Sequence, residues 1–162
     1  MDYQLTDVDF GGLKTAETKI NNDRRAYTIT RFPIVEQMLE LPTECEITTL
    51  TMLLKYYGFN IDKETVAYQY LLTVSADLYY GSDGLLYRPD MERNFVGNQG
   101  ETGYVCGTTA ILNAANNYFE QLGNDFYATV INQDSPQTLY HLLEQETPVL
   151  VCAALRLSLR FG

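Results

Sequence analysis

The stretch LPTECEITTLTMLLKYYG, residues 41–58, contains the clearest helix signal in the chain. Thr43 and Glu46 have the spacing of a capping box, in which the threonine hydroxyl bonds to the glutamate amide and the carboxylate reaches back. Gly58 is placed to end the helix in the left-handed conformation. Apolar residues recur between these signals at helical spacing: Ile47, Leu50, Leu53, Leu54 and Tyr57. The sequence therefore predicts a helix that begins after Thr43, buries one face and ends at Gly58.

Three further helices are predicted downstream. Asp62 is the expected N-cap of a helix that runs to about residue 72. A third helix spans about residues 108–121 and stops at Gly123, and Ser135 with Pro136 begins a fourth that runs to about residue 145. The residues expected to face inward on the second and third helices are Val66, Ala67, Tyr70, Leu71, Ile111, Leu112, Ala115, Phe119 and Leu122.

Strands are predicted late in the chain, with one short candidate before the first helix. Residues 26–32, 127–131 and 148–152 are rich in β-branched, aromatic or aliphatic side chains. The chain then alternates apolar and polar residues to its end, as a half-buried strand does; the apolar positions are Leu155, Leu157, Leu159 and Phe161. Residues 76–107 contain many glycines and are predicted as a long irregular segment. This order of elements favours the α+β class.

The chain is long enough for one domain. Residues 1–30 are predicted as a polar N-terminal arm or linker, and residues 31–162 as the domain itself. Lys and Arg number 11 against 21 Asp and Glu, and this net charge of −10 disfavours nucleic acid and anionic lipid as partners. No apolar signal-peptide core and no run of ~18 apolar residues that would form a transmembrane segment is found. As written the chain is expected to be cytoplasmic; the alternative is a secreted or cell-surface bacterial protein that lacks its leader.

Three cysteines and one histidine limit the metal and redox chemistry. They supply no clustered set of four zinc ligands, so neither a metal nor another cofactor is predicted, and an odd number of thiols argues against a disulfide framework. Cys45 is the candidate nucleophile, because a helix N-terminus favours thiolate over thiol. Glu44 and Glu46 oppose that effect. The alternative is that Cys45 is a small buried residue in the first helical turn.

Three sequence blocks resemble a known family. Residues 37–58 read Q-x-x-x-L-P-T-E-C-E-x-x-x-L-x-M-L-L-x-Y-Y-G, residues 94–118 contain N-F-V-G-N, G-Y-V-C-G and I-L-N-A-A-N-N-Y, and residues 139–151 form a helix followed by P-V-L-V. Together these blocks are similar to the papain-like peptidase family C thirty-nine, the bacteriocin-leader-processing group, and to its C-thirty-nine-like branch. The resemblance covers about residues 32–151.

The resemblance implies a papain-like fold of α+β class, with a helical half and the start of an antiparallel sheet. It implies a cysteine peptidase in which Cys45 attacks a carbonyl of a peptide or protein substrate. Gln37 matches the family's upstream glutamine, whose side-chain amide helps to hold the developing oxyanion. Without the resemblance, Gln37 would be interpreted as a surface loop residue. The sequence gives no indication of an oligomeric state.

Two departures from the family pattern bear on activity. The family usually has glycine immediately before the nucleophile, where a glutamate at position 44 would crowd the substrate or raise the thiol pKa. The family's catalytic histidine and its Asp or Asn partner lie downstream of the P-V-L-V block, and this chain has no histidine there. Its one histidine, His141, is expected at the side or surface of the fourth helix. The domain is therefore expected to be C-terminally incomplete, and weak or inactive as written.

Two other functions stay open at this stage. One is a non-catalytic module that binds peptides or interacts with proteins through the same cleft. The other is a fragment with no stable function. The two remaining thiols are assigned structural roles, since Cys106 precedes a helix and Cys152 lies in an apolar run where a small packed residue is expected.

Overall fold

A computed structural model describes residues 27–38, 40–101, 104, 106–131 and 135–152. The predicted N-terminal arm lies almost wholly outside these residues, as does the predicted alternating strand after residue 152. The elements, in chain order, are α1 (Cys45–Tyr56), α2 (Lys63–Thr65), which continues as a π-helical turn (Val66–Tyr70), β1 (Thr73–Val74), β2 (Tyr79–Tyr80), β3 (Leu86–Tyr87), β4 (Phe95–Val96), α3 (Thr108–Leu122) and α4 (Pro136–Glu144).

The first helix forms where the apolar pattern predicts it, but its start differs. The N-cap is Glu44, with no side-chain capping hydrogen bond, so the predicted capping box of Thr43 and Glu46 is wrong. The Thr43 hydroxyl lies instead 3.4 Å from the carbonyl oxygen of Glu101, across the fold. The helix is followed, as predicted, by Gly58 with φ +87°. Of the predicted apolar stripe, Ile47, Leu50 and Leu54 are buried, Leu53 is half-buried and Tyr57 is exposed.

The second helix changes type after one turn. Asp62 is its N-cap, as predicted, and the Asp62 carboxylate accepts a hydrogen bond of 2.6 Å from the Thr65 amide. The helix then widens into the π-helical turn, whose last hydrogen bond runs from the Leu71 amide to the Val66 carbonyl oxygen. The side-chain amide of Gln99 donates to the Ala67 carbonyl oxygen at 2.7 Å. This contact joins the π-helical turn to the loop that follows β4.

The third and fourth helices have the predicted bounds within one residue or two. In α3 the small residues Ala110 and Ala114 are buried, which lets neighbouring elements approach closely. Gly123 ends α3 in the left-handed conformation, as predicted, but Leu122 is 49% exposed rather than inward. In α4 proline occupies the first turn, as predicted, and no residue of this helix is buried. The fourth helix therefore lies at the edge of the fold.

The core is formed by α1, the π-helical turn and α3. It joins these three helical segments to β4 and to the chain before α1. Its buried residues are Leu41, Ile47, Leu50, Leu54, Ile61, Val66, Ala67, Leu71, Phe95, Cys106, Ala110, Ile111, Ala114, Ala115, Tyr118 and Phe119.

In the described residues β2, β3 and β4 lie within residues 76–107, the segment predicted to be irregular, and β1 lies just before it. β1 and β4 pair in parallel, with Thr73 opposite Phe95, and β2 and β3 form an antiparallel hairpin between them in sequence. The strand predictions for 26–32, 127–131 and 148–152 are wrong for the residues that the structure describes there. These segments have strand-like side chains, but the part of the chain that the structure describes offers them no hydrogen-bonded partner strand. Strand propensity alone does not produce a strand.

An apolar cavity of about 430 Å³ lies beside the core. Its walls are α1 and α3 on one side, including Leu53 and Leu112, and residues 126–131 and 147–150 on the other. The cavity shows that the segments after α3 cover the helical core incompletely.

Candidate active site

Cys45 is the first residue of α1, and its side chain is exposed. The sequence predicted the second helical position, and the difference follows from the displaced N-cap. The thiol therefore lies at the end of a 12-residue helix where backbone N–H groups lack intrahelical partners and the helix dipole is positive. An accessible sulfur at this place meets the first geometrical requirement of a nucleophile.

The partner of the thiol is a carboxylate. Cys45 Sγ donates to Glu46 Oε2 at 3.2 Å. Partial burial of the sulfur and this contact with Glu46 raise the pKa of Cys45 to about 11, against smaller opposite effects of backbone amides. The sequence left the balance between helix and acidic neighbours open, and in the structure burial first and Glu46 second outweigh the effect of the backbone amides. At neutral pH the sulfur is held as a thiol.

The glutamate before Cys45 does not face solvent. Glu44 is fully buried, and its carboxylate oxygens accept hydrogen bonds from the amides of Thr43 at 3.2 Å and Gly100 at 3.0 Å. Gly100 has φ +77°, a backbone conformation that strains any residue with a side chain, so glycine is favoured at this contact. A buried carboxylate cannot crowd a substrate at the exposed thiol, so the steric objection raised by the sequence does not hold.

Gln37 lies in the turn that precedes α1. Its side-chain Nε2 donates to the carbonyl oxygen of Pro42 at 3.1 Å, and Pro42 stands three residues before Cys45. An amide nitrogen carries two hydrogens, and this contact uses one of them. The structure thus ties the Gln37 side chain to the segment that leads into the first turn of α1.

The turn of Gln37 is held by a residue that the sequence did not single out. Lys63, at the start of α2, is 6% exposed, and its Nζ donates to the carbonyl oxygens of Glu36 at 2.5 Å and Gln37 at 3.2 Å. The same ammonium pairs with Glu40 Oε2 at 2.8 Å and lowers the pKa of that carboxyl. Lysine is rarely buried in proteins, and no sequence pattern marked this one as an exception.

Comparison with known proteins decides the family. A family model described as the Peptidase_C39 like family matches residues 29–162. The chain belongs to this family. A crystal structure of a Bacillus anthracis protein assigned as a C39-like peptidase is similar, with a TM-score of 0.59, 25% sequence identity and coverage of 75% of this chain. No curated protein matches the chain.

The similarity to the solved structure confirms the α+β, papain-like fold that the sequence predicted. The match covers 56% of the Bacillus anthracis chain, so this chain corresponds to little more than half of that protein's length. In the part of the chain that the structure describes, no helix is long and apolar enough to cross a membrane.

The other two thiols of this family member differ in exposure. Cys106 is buried, and burial raises its pKa to about 12. The structural role predicted for it agrees with that position. Cys152 is exposed and lies outside any strand, so the prediction of a packed strand residue is wrong. Its pKa is also raised, first by partial burial and then by Glu46 and Glu92.

His141 is exposed, as predicted, and is not brought to Cys45. Its ring contacts Gln145 Nε2 at 3.2 Å and Glu144 Oε2 at 4.0 Å, both on its own helix or directly after it. The end of this segment is bound to the far end of α1, where the Tyr56 hydroxyl donates to the Glu146 carbonyl oxygen at 2.8 Å. Along the helix axis Tyr56 is roughly 16 Å from Cys45, at 1.5 Å per residue. His141 is therefore not positioned as a base for the thiol.

Over the described ranges, no group of three or more His, Cys, Asp or Glu side chains is arranged to hold a metal ion. The candidate site is formed by Cys45 and Gln37. Glu46 accepts a hydrogen bond from the thiol, Glu44 binds the amide of Thr43 before the helix, and Lys63 binds the backbone at Gln37.

Proposed function

We propose that this chain is a cysteine peptidase domain in which Cys45 is the nucleophile and Gln37 is the oxyanion donor. The observation that carries the proposal is the exposed Cys45 sulfur at the first residue of α1, beside a turn whose Gln37 amide is bound to Pro42. Membership of the Peptidase_C39 like family supports peptide-bond hydrolysis as the reaction.

The chemistry assigns one role to each residue. The Cys45 thiolate attacks the carbonyl carbon of a peptide bond, and the carbonyl oxygen becomes an oxyanion. Gln37 Nε2 has a second hydrogen that it can donate to this oxyanion. Collapse of the intermediate expels the amine, which must take up a proton, and leaves a thioester on Cys45. Water then hydrolyses the thioester and restores the thiol.

Little of Cys45 is in the thiolate form that the first step needs. With a pKa of about 11, roughly one Cys45 thiol in 10⁴ is ionised at pH 7. Glu46 stabilises the thiol and supplies no proton to the leaving amine as long as it is a carboxylate. We therefore expect turnover of an ordinary peptide by this chain to be weak or absent, while the first chemical step remains measurable with an activated substrate.

A second function is favoured by one observation. Partial burial and the hydrogen bond from Cys45 to Glu46 raise the pKa of the thiol and favour its protonated form, which suits a domain that binds peptides without cleaving them. In this alternative the site contacts peptide ligands and the helix-start thiol performs no chemistry.

Acylation and alkylation of the same thiols distinguish the two functions. Acylation by a peptide p-nitrophenyl ester passes through an oxyanion, whereas alkylation by iodoacetamide does not. Both reactions need the thiolate. The acylation rate divided by the alkylation rate therefore does not depend on the fraction of the thiol that is ionised. Cys152 is a matched control, because it is also exposed and also has a raised pKa. The rates at the two cysteines are measured separately by peptide mass spectrometry.

The peptidase proposal predicts a ratio at Cys45 that is roughly 10² times the ratio at Cys152, since removal of one oxyanion donor commonly costs 10²–10³-fold. Gln37→Ala should remove most of this excess. Equal ratios at the two cysteines would contradict a catalytic role for the site and leave the binding function.

A further inference from the structure

Lys63 has an unusual environment for a lysine. It is 6% exposed, and its ammonium group is surrounded by three protein oxygens, from Glu36, Gln37 and Glu40. Only one of the three carries a charge. A buried ammonium that spends two of its three hydrogens on main-chain carbonyls acts chiefly on the path of the backbone.

The two carbonyl groups are the ones that flank a single residue. The Glu36 carbonyl belongs to the peptide unit before the Gln37 α-carbon, and the Gln37 carbonyl belongs to the unit after it. One ammonium therefore fixes the orientation of both peptide units that adjoin Gln37. With both units fixed, the direction in which the Gln37 side chain leaves the backbone is fixed as well.

Lys63 belongs to a packed part of the fold. Lys63 is the first residue of α2, directly after the Asp62 cap, and it is 26 residues from Gln37 in sequence. α2 leads into the π-helical turn, whose Val66 and Ala67 are fully buried in the core. The turn that carries Gln37, by contrast, is not part of a helix or strand in the described residues. Lys63 thus connects a segment without regular secondary structure to a packed one.

We infer that Lys63 is a positioning residue for Gln37, which holds the turn so that the Gln37 amide can serve the oxyanion formed at Cys45. This inference rests on the proposed function. Lys63 itself touches neither the substrate nor the reacting atoms. Its effect is expected on the step that needs the oxyanion donor and not on the intrinsic reactivity of the thiol.

Variants of Lys63 test the inference with the two reagents described above. In Lys63→Met, which removes the ammonium at similar side-chain length, the acylation rate of Cys45 by the peptide ester should fall roughly 10- to 100-fold, because a misplaced catalytic group costs about that much. Alkylation of Cys45 by iodoacetamide should stay within about twofold of the wild-type rate. Adding Lys63→Met to Gln37→Ala should cause no further loss, since Lys63 acts on acylation only through the Gln37 side chain.

Glu40→Gln is the matched control. It removes the charged partner of Lys63 but leaves the two bonds to main-chain carbonyls. The acylation rate should then change by about twofold or less, because those two bonds position Gln37. A loss as large as that of Lys63→Met would assign the effect to the ion pair and overturn the inference.

A second readout does not depend on catalysis. The side-chain amide of Gln37 gives its own NMR signals, and ¹⁵N relaxation should show it ordered in the wild type and disordered in Lys63→Met. If Lys63→Met fails to fold by circular dichroism, Lys63→Gln, which keeps a neutral donor, is measured in its place. An ordered Gln37 amide in the folded variant would overturn the inference.

The outcomes separate the inference from the proposed function. If Gln37→Ala slows acylation and the Lys63 variants do not, the inference fails and the function stands. If Cys45 shows no excess acylation over Cys152, the function fails, and the relaxation of the Gln37 amide still decides whether Lys63 orders the turn.

Discussion

Residues 41–119 and residues 123–152 both contain large apolar side chains, but the two regions differ in how deeply they bury them. In the first region α1, the π-helical turn and α3 bury their apolar faces against one another. In the described part of the second region no side chain is buried, although it contains leucines, valines and a phenylalanine. All the groups of the candidate site are held by the first region or by the turn just before it. Accurate placement of a catalytic group requires packed surroundings, and only the first region provides them.

A pair of leucine truncations gives the largest expected contrast between the regions. Leu54 is 2% exposed in the core, whereas Leu143 is half-buried on α4. Leu54→Ala should lower the free energy of unfolding by about 2–5 kcal/mol through lost burial and a cavity. Leu143→Ala should cost about 1 kcal/mol or less. Urea unfolding of both variants measures the difference, and equal losses would mean that the second region has a core of its own.

Truncation of one glutamate in each region compares the polar groups of the two regions. Glu44→Ala leaves the part-buried amides of Thr43 and Gly100 without their carboxylate partner, and should cost about 1–3 kcal/mol. Glu144→Ala, at a surface position on α4, should stay within about 0.5 kcal/mol of the wild type. The midpoints of urea unfolding compare the two directly. A small effect of Glu44→Ala would indicate that water replaces the carboxylate.

The pH dependence of thiol alkylation compares Cys45 in the first region with Cys152 in the second. Below its pKa of about 11, the rate at Cys45 should rise tenfold per pH unit as thiolate forms. Glu46→Gln replaces the carboxylate by a neutral amide and removes the charge that favours the protonated thiol, so the pKa falls and the rate at pH 8 should rise roughly 3- to 10-fold. Cys152, in the second region, should respond less, because Glu46 raises its pKa without accepting its hydrogen bond.

The same experiment has a clear contrary result. An unchanged alkylation rate at Cys45 in Glu46→Gln would show that burial alone raises the thiol pKa, and it would remove the argument for a non-catalytic function that rests on Glu46.

The smallest expected effect concerns Glu40. Lys63 lowers the Glu40 pKa below 4.5, so the pair stabilises the fold fully above that pH and loses its contribution as pH falls through the lowered pKa. The difference in urea midpoint between the wild type and Glu40→Gln should therefore be present at pH 6 and shrink at pH 3. A difference that grows toward acid would reverse the assigned sign.

The sequence predicts the first region better than the second for a physical reason. Periodic apolar residues and the signals at Asp62, Gly58 and Gly123 act within a few residues of one another, so they can be read along the chain. The capping box failed because the Thr43 hydroxyl is directed to Glu101, a long-range contact. The strand predictions failed because a strand depends on a partner, and in the described residues the pairing occurs between β1 and β4 and within the β2–β3 hairpin.

The candidate site was predictable in part. Cys45 was identified from its place at the predicted helix start and Gln37 from the resemblance to the family, and their roles stay predictions. The contribution of Glu44 and Lys63 depends on burial, which composition does not reveal, because glutamate and lysine are normally exposed. Glu46 was expected to oppose the thiolate on charge alone, and the structure adds the hydrogen bond through which it does so.

The two hydrogen bonds of Glu44 have a consequence for motion. The Glu44 carboxylate is shared between the amide of Thr43, directly before it, and the amide of Gly100, 56 residues after it. A displacement of the loop at Gly100 therefore shifts the start of α1, and with it the sulfur. The position of the Cys45 sulfur thus depends on the loop at Gly100 as well as on its own helix.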